Sequence, residues 1–226
     1  MVGAPHPKYL LPDHVPPWCI TANSWKDLWM KHVVIFGRHP KLGCVKTRLA
    51  RKIGPVETLR FYRYTLTTVI RRVSAGQSWQ TWVSLTPDKA VIDRQICPVK
   101  VGRLLQGAGN LGDRMARCFS RFGHDPVLII GSDIPDVGQA HIAAAFNALR
   151  RSDVVFGPSN DGGYWLVGMR QGKLAGPLFD NVRWSTKYAL SDTQKNLSLG
   201  LRVAVLGALT DIDDGADYAA WSGTNR

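Results

Sequence analysis

Residues 33–49 read Val-Val-Ile-Phe-Gly-Arg-His-Pro-Lys-Leu-Gly-Cys-Val-Lys-Thr-Arg-Leu, and no other stretch constrains the fold as tightly. Residues 33–36 are a short, wholly apolar run, the pattern of a buried strand. A loop containing Gly43 follows, and Lys46-Thr47-Arg48 stands where a helix should begin. Strand, glycine-bearing loop and helix start make a βα unit, which belongs in a sheet with helices packed on it. Ligands of such sheets bind at the carboxyl ends of the strands. Backbone N–H groups and cations delivered there suit phosphate: Lys46 as a flexible point charge, Arg48 as a fork that grips two oxygens, and Gly43 for positive φ or close approach. The spacing is neither that of a P-loop nor that of a G-x-G-x-x-G dinucleotide fingerprint. The plainer reading is a basic loop with a solvated face.

The same alternation continues along the chain. Segments 81–85, 101–105, 127–130, 154–156, 164–167 and 203–206 read as strands, the run at 127–130 the strongest. Helical periodicity covers 55–73, 139–149, 186–197 and 216–221. Asn110 is placed to cap a helix over 111–122 that Gly123 stops. The expected fold is a three-layer α/β/α sandwich around a mostly parallel central sheet. Before it, residues 1–31 form a separate extension: five prolines in the first 17 residues predict an extended arm. Trp18, Ala22, Trp25 and Trp29 then recur at helical spacing, a short amphipathic helix that covers this protein's own core or docks on a partner.

Composition narrows the class. With 226 residues, 45% of them hydrophobic, the chain can bury one sizeable core, expected as one domain over 32–226. Lys and Arg total 29 against 17 Asp and Glu, a formal charge of +12 that favours anionic partners without choosing among them. Cys19, Cys44, Cys97 and Cys118 include no C-x-x-C pair, which argues against a zinc knuckle and for a reducing, cytoplasmic setting. No apolar run approaches the roughly 18 residues that span a bilayer, and the first residues do not read as a secretory signal.

Three later loops bring carboxylates. Gly131-Ser132-Asp133-Ile134-Pro135-Asp136 follows the strand at 127–130. Asp133 suits Mg²⁺ or Mn²⁺, ions that take few protein carboxylates and complete their shell with phosphate and water; Asp136 is a candidate helix cap. Asp161-Gly162-Gly163 is a hairpin turn that also presents a carboxylate and bare backbone. In Asp211-Ile212-Asp213-Asp214, alternation around Ile212 lets Asp211 and Asp213 point one way; the plainer reading is an acidic cap for the last helix. The six histidines lack metal-ligand spacing, and there is no G-x-S-x-G elbow and no RNA-binding signature.

Taken in order, the loop 37–49, Gln106-Gly-Ala-Gly-Asn-Leu-Gly-Asp-Arg-Met115, Gly131-Ser-Asp-Ile-Pro135, Gly157-Pro-Ser-Asn-Asp-Gly-Gly-Tyr-Trp165, Val182-Arg-Trp-Ser-Thr186 and Asp211-Ile-Asp-Asp214 resemble the DUF2064 family. Its members are described as glycosyltransferases and as transferases associated with radical-SAM/selenodomain proteins. The resemblance covers about 32–217. It implies the GT-A, nucleotide-diphospho-sugar transferase fold, similar to that of the molybdopterin-guanine and phospholactate guanylyltransferases. It further implies a nucleotide in the first βα loop and a divalent cation, Mg²⁺ or Mn²⁺, on the carboxylates. Residue by residue, it implies a catalytic set of Lys46, Arg48, Asp133 and Asp161, and metal ligands Asp133 and Asp213. The nucleotide contacts it implies are Gly37, Arg38, Gly43, Lys46, Arg48, Asn110, Gly162 and Gly163. One departure is Gly37-Arg38-His39-Pro40, where the family has Ala-Lys-x-Pro; the charge survives on a forked guanidinium.

The expected activity is a metal-dependent transfer from a nucleotide to a small-molecule acceptor, either nucleotidyl transfer or glycosyl transfer from an NDP-sugar. The alternative is a non-catalytic nucleotide- or phosphosugar-binding protein that docks a partner through its N-terminal arm. A basic nucleic-acid binder is the weakest option.

Overall fold

A computed structural model describes residues 30–76, 78–92, 96 and 101–224. The expected arm and the tryptophan-bearing helix of 18–29 lie outside the described residues, as do Cys19 and Cys97.

Among the described residues, seven strands form one sheet: β1 His32–Arg38, β2 Gln80–Thr86, β3 Gly102–Arg103, β4 Val127–Gly131, β5 Val154–Pro158, β6 Tyr164–Met169 and β7 Val203–Val205. Their order across the sheet is β3-β2-β1-β4-β6-β5-β7. Six strands run the same way, and β6 alone is antiparallel to its neighbours β4 and β5. The expected α/β fold with a mostly parallel sheet is therefore present. Because β6 is reversed, its first residue, Tyr164, lies at the edge where the other strands end.

The first strand shows why the sheet has two covered faces. Successive side chains of a strand point to opposite sides. Val33 and Ile35 join one core with Leu66, Val69 and Ile70 of α2 (Pro55–Ser74) and Ile142, Ala145 and Leu149 of α4 (Gln139–Leu149). Val34 and Phe36 join a second core with Met115, Cys118 and Phe119 of α3 (Leu111–Ser120). A wholly apolar strand is what burial on both faces requires. A third, smaller cluster of Leu49, Phe61 and Ile212, with Tyr218 and Trp221 packed against it, ties α1 (Thr47–Ile53) to α2 and α6 (Gly215–Thr224).

Several boundaries differ from the sequence reading. The strand expected at 101–105 pairs over two residues only, because Gln106 N donates to Asp88 Oδ1 at 2.8 Å and turns the chain away. The helix expected at 186–197 is α5, Ala189–Lys195; Ser185 has φ +60°, and Thr186 Oγ1 closes a turn onto Arg183 O. Asn110 caps α3 as expected, but the helix ends at Ser120 and a turn carries the chain to Gly123. Asp136 does not cap α4: that place is taken by Gly138, whose N–H donates to His141 Nδ1 at 3.3 Å.

Candidate active site

The loop after β1 bends through Gly43, at φ +72°, and reaches α1 at Lys46. Lys46 itself has φ +47°, a left-handed conformation that costs a residue with a Cβ roughly 1–2 kcal/mol. The bend sends its side chain inward, where 7% of it is exposed. Its ammonium pairs with Asp133 Oδ2 at 2.7 Å and with Asp213 Oδ1. Burial works against the charged lysine, but the two carboxylates outweigh it and hold its pKa above the ordinary range.

The carboxylates come from three strand ends. Asp133 follows β4, Asp161 sits in the β5–β6 turn, and Asp211 and Asp213 follow β7. Ile212, 3% exposed, packs with Leu49 and Phe61, so the residues on either side of it turn to the cleft, the alternation expected from the sequence. Asp214 accepts from the N–H groups of Ala216 and Asp217, so the capping reading of the acidic run also holds. Burial raises the Asp133 carboxyl, but Lys46 overrides it and holds the group low. Among the described residues Asp211 forms no ion pair of that kind. Burial, then the charges of Asp161, Asp133 and Asp213, push it up to about 6, with Lys46 only partly offsetting them.

These groups line one cleft of about 690 Å³. Of the residues singled out from the sequence, Gly37, Arg38, Lys46, Arg48, Asp133, Asp161, Gly163 and Asp213 line it. Gly43, Asn110 and Gly162 do not, and each has a local structural task. Gly43 supplies the positive φ of its loop. Asn110 closes a capping box with Asp113. Gly162 has φ +86°, and a Cβ there would stand 2.3 Å from Lys187 O. Asp161 likewise supports its own turn, accepting from Ser159 Oγ and Gly163 N at 2.7 and 2.8 Å.

Two buried side chains fix the cleft floor. The Tyr62 hydroxyl donates to Arg38 O and accepts from Arg38 N, both at 3.0 Å, and lies 3.1 Å from Ser132 Oγ. It thus joins α2 to the ends of β1 and β4. The Gln106 amide donates to Gly37 O at 3.0 Å and Ser84 O at 2.8 Å, tying the ends of β1 and β2.

The site fits a hard divalent cation. Two carboxylate oxygens already converge on one positive charge, and Asp211 adds a third acid close by. Among the described residues no group of three or more His, Cys, Asp or Glu forms a ready cage. Magnesium and manganese suit such a place, since one or two carboxylates plus substrate phosphates commonly complete their shell.

A family model described as an uncharacterized protein conserved in bacteria (DUF2064) matches residues 69–186, over half of the chain. The chain belongs to DUF2064. Phosphoenolpyruvate guanylyltransferase of Sphaerobacter thermophilus is 26% identical to this DUF2064 chain over 187 residues, spanning 81% of the chain and 89% of the relative. A crystal structure from Desulfovibrio desulfuricans G20, of a protein assigned as a nucleotide-diphospho-sugar transferase, superposes with a TM-score of 0.77 at 26% identity over 87% of each chain. The 4-diphosphocytidyl-2C-methyl-D-erythritol synthase of Anaerococcus prevotii shares the fold, with a TM-score of 0.60 at 12% identity over 88% of this chain and 97% of that one. These likenesses make the DUF2064 protein an enzyme of the transferase class.

Sequence reasoning did not single out Tyr62, Thr86, Arg114 or Trp184, all of which line the cleft. Arg114 and Trp184 stand inside the ordered DUF2064 motifs, one helical turn past Asn110 and in the segment before α5, so their motif context was the available signal. Tyr62 reads as one more apolar position of α2, and nothing in its periodicity marks the hydroxyl.

Proposed function

We propose that this protein is a metal-dependent nucleotidyltransferase. The observation that carries the reading is the meeting of Lys46 with Asp133 and Asp213 at the carboxyl edge of the sheet, beside the phosphate-suited loop 37–48. Its similarity to a phosphoenolpyruvate guanylyltransferase supports the same class and suggests a small phosphorylated acid as acceptor.

Asp133 and Asp213, with Asp211 beside them, would hold Mg²⁺ or Mn²⁺, which when bound neutralises phosphate charge and orients phosphate oxygens. Lys46 and Arg48 grip phosphate oxygens on which charge builds. Gly37 and Gly163 let backbone approach the nucleotide closely, and the Arg38 guanidinium adds a forked contact. Asp161 carries its carboxylate into the same cleft from the opposite turn. An acceptor phosphate oxygen attacks the α-phosphorus, a new O–P bond forms, the bond to the bridging oxygen breaks, and pyrophosphate departs with that electron pair.

Glycosyl transfer from an NDP-sugar is the second reading, favoured by the assignment of the Desulfovibrio protein. We take the transferase domain to run over 32–226, and the setting to be a reducing cytoplasm, in keeping with the free thiols of Cys44 and Cys118. No described helix is long and apolar enough to cross a membrane.

A thermal-shift panel separates the two chemistries. NTPs, NDPs and NDP-sugars are each added with Mn²⁺, Mg²⁺ or EDTA. The expected result is stabilisation by one NTP that requires the metal. Stabilisation by an NDP-sugar alone would favour glycosyl transfer. A shift that ignores the metal would favour a binding protein.

A further inference from the structure

The far edge of the sheet, where the parallel strands begin, lies opposite the cleft and is strongly basic. Backbone hydrogen bonds gather its segments. Gln80 N donates to Lys31 O at 2.8 Å, His32 N to Pro126 O at 2.9 Å, Arg170 N to Asp153 O at 2.9 Å and Asp153 N to Arg202 O at 2.8 Å. Both α3 and α4 end at this edge, α3 on Arg121 and α4 on Arg150, with Arg151 next in the chain. Lys31, Arg121, Arg150, Arg151, Arg170 and Arg202 therefore share one edge. The acids of the same segments, Asp125 and Asp153, are engaged within the fold. Asp125 Oδ2 meets His32 Nε2 at 3.3 Å, and Asp153 pairs with Arg170 and, at 3.4 Å, with Arg202. Arg121, Arg150 and Arg151 are exposed and form no ion pair among the described residues.

These cations stand apart from the cleft, which opens at the other edge beside Asp133, Asp161, Asp211 and Asp213. A face so one-sided in charge attracts an extended anionic surface. The chain itself points to the kind of surface. It enters β1 at this edge through Met30, 52% exposed, and the sequence before it carries Trp18, Trp25 and Trp29. Tryptophan favours the boundary between water and lipid, and basic residues beside it add attraction to anionic headgroups. The two together hold a peripheral protein where one alone binds weakly. A duplex nucleic acid would use the arginines and leave the tryptophans without a role. We propose that this basic edge docks on an anionic lipid surface. The cleft then faces away from the bilayer and stays open to soluble ligands.

The test is co-sedimentation of the full chain with vesicles. One set contains equal parts phosphatidylglycerol and phosphatidylcholine, the other phosphatidylcholine alone. The expected result is binding to the anionic vesicles that weakens as salt is raised, with little binding to the neutral ones. Arg150→Gln/Arg151→Gln should weaken binding on the order of tenfold, the effect of two basic residues leaving such a surface. Arg60→Gln/Arg63→Gln removes the same charge from exposed positions in the first half of α2, away from this edge, and should change the affinity less than about twofold. The single reversal Arg121→Glu is the second variant should the first pair fail to fold, and it should weaken binding in the same way. No binding to the anionic vesicles, equal binding to both sets, or equal loss in the two double variants overturns the proposal. Binding of a duplex oligonucleotide that follows Arg150 and Arg151, with no binding to vesicles, also overturns it and assigns the edge to nucleic acid.

Discussion

The two ends of the sheet's carboxyl edge are built oppositely. Beside β1 and β2 the chain presents Arg38, Lys41, Lys89 and Arg114, and the carboxylate of Asp88 there is occupied by the backbone N–H of Gln106. Beside β4, β5 and β7 it presents Asp133, Asp161, Asp211 and Asp213. Lys46 crosses between them: it leaves the first loop, and its ammonium ends among the carboxylates of the second half. The difference teaches what kind of ligand the edge expects. Under the proposed nucleotidyltransferase function, a polyanion would neutralise one side and a cation the other, as a nucleotide phosphate with its metal would. Lys46 stands where these two meet, which explains why the backbone bears a left-handed residue there.

Breaking the acidic side should have the largest effect. Asp133→Ala removes a carboxylate that both Lys46 and a metal would use, and turnover should fall by on the order of 10³ or more, with the far-ultraviolet circular dichroism unchanged. Full activity in that folded variant would remove Asp133 from the account.

Breaking the crossing residue sharpens the comparison. Lys46→Met should cost on the order of 10²–10³ in turnover, as loss of one preorganised charge does. Yet Mn²⁺ binding without nucleotide, read by electron paramagnetic resonance, should tighten, because the ammonium and the metal compete for the same two carboxylates. Weaker Mn²⁺ binding in this variant would show that Lys46 supports the metal site instead of occupying it.

The smallest expected effect is on stability. Asp211 is raised from 3.8 to about 6, so the folded chain binds that proton more tightly than the unfolded chain. Its contribution is whole below the unfolded value and is lost as pH rises through about 6. Asp133, held low by Lys46, works in the opposite sense: its contribution is present above its unfolded value and is lost as pH falls through its lowered folded value. In EDTA, Asp211→Asn should therefore melt higher than wild type above pH 6 and converge with it near pH 4, as followed by calorimetry. Identical pH profiles for the two proteins would contradict the burial of that charge beside its neighbours.

The fold was legible because burial writes itself into composition. Residues 33–36 and 127–130 are apolar on both faces, and the helical periods of 55–73 and 139–149 return as α2 and α4. Where local hydrogen bonding decides, the reading failed: Asp88 turns the chain after β3, and the Thr186 turn delays α5. Much of the candidate site was legible too, because carboxylates and cations after strand ends are visible as motifs, and Asp133, Asp213 and Lys46 do converge. Gly43, Asn110 and Gly162 stand outside the cleft because turn and capping geometry selects the same residue types as close ligand approach. The clustering of Arg38, Lys41 and Lys89 was invisible because these residues come from segments after β1 and β2 that only parallel pairing brings side by side.

The most direct measurement is pyrophosphate release by the wild-type protein with each NTP, Mg²⁺ or Mn²⁺, and small phosphorylated acids as acceptors. The expected result is release that needs the metal, one nucleotide and one acceptor, and that vanishes in Asp133→Ala. Transfer of a sugar from an NDP-sugar with no pyrophosphate from any NTP would contradict it.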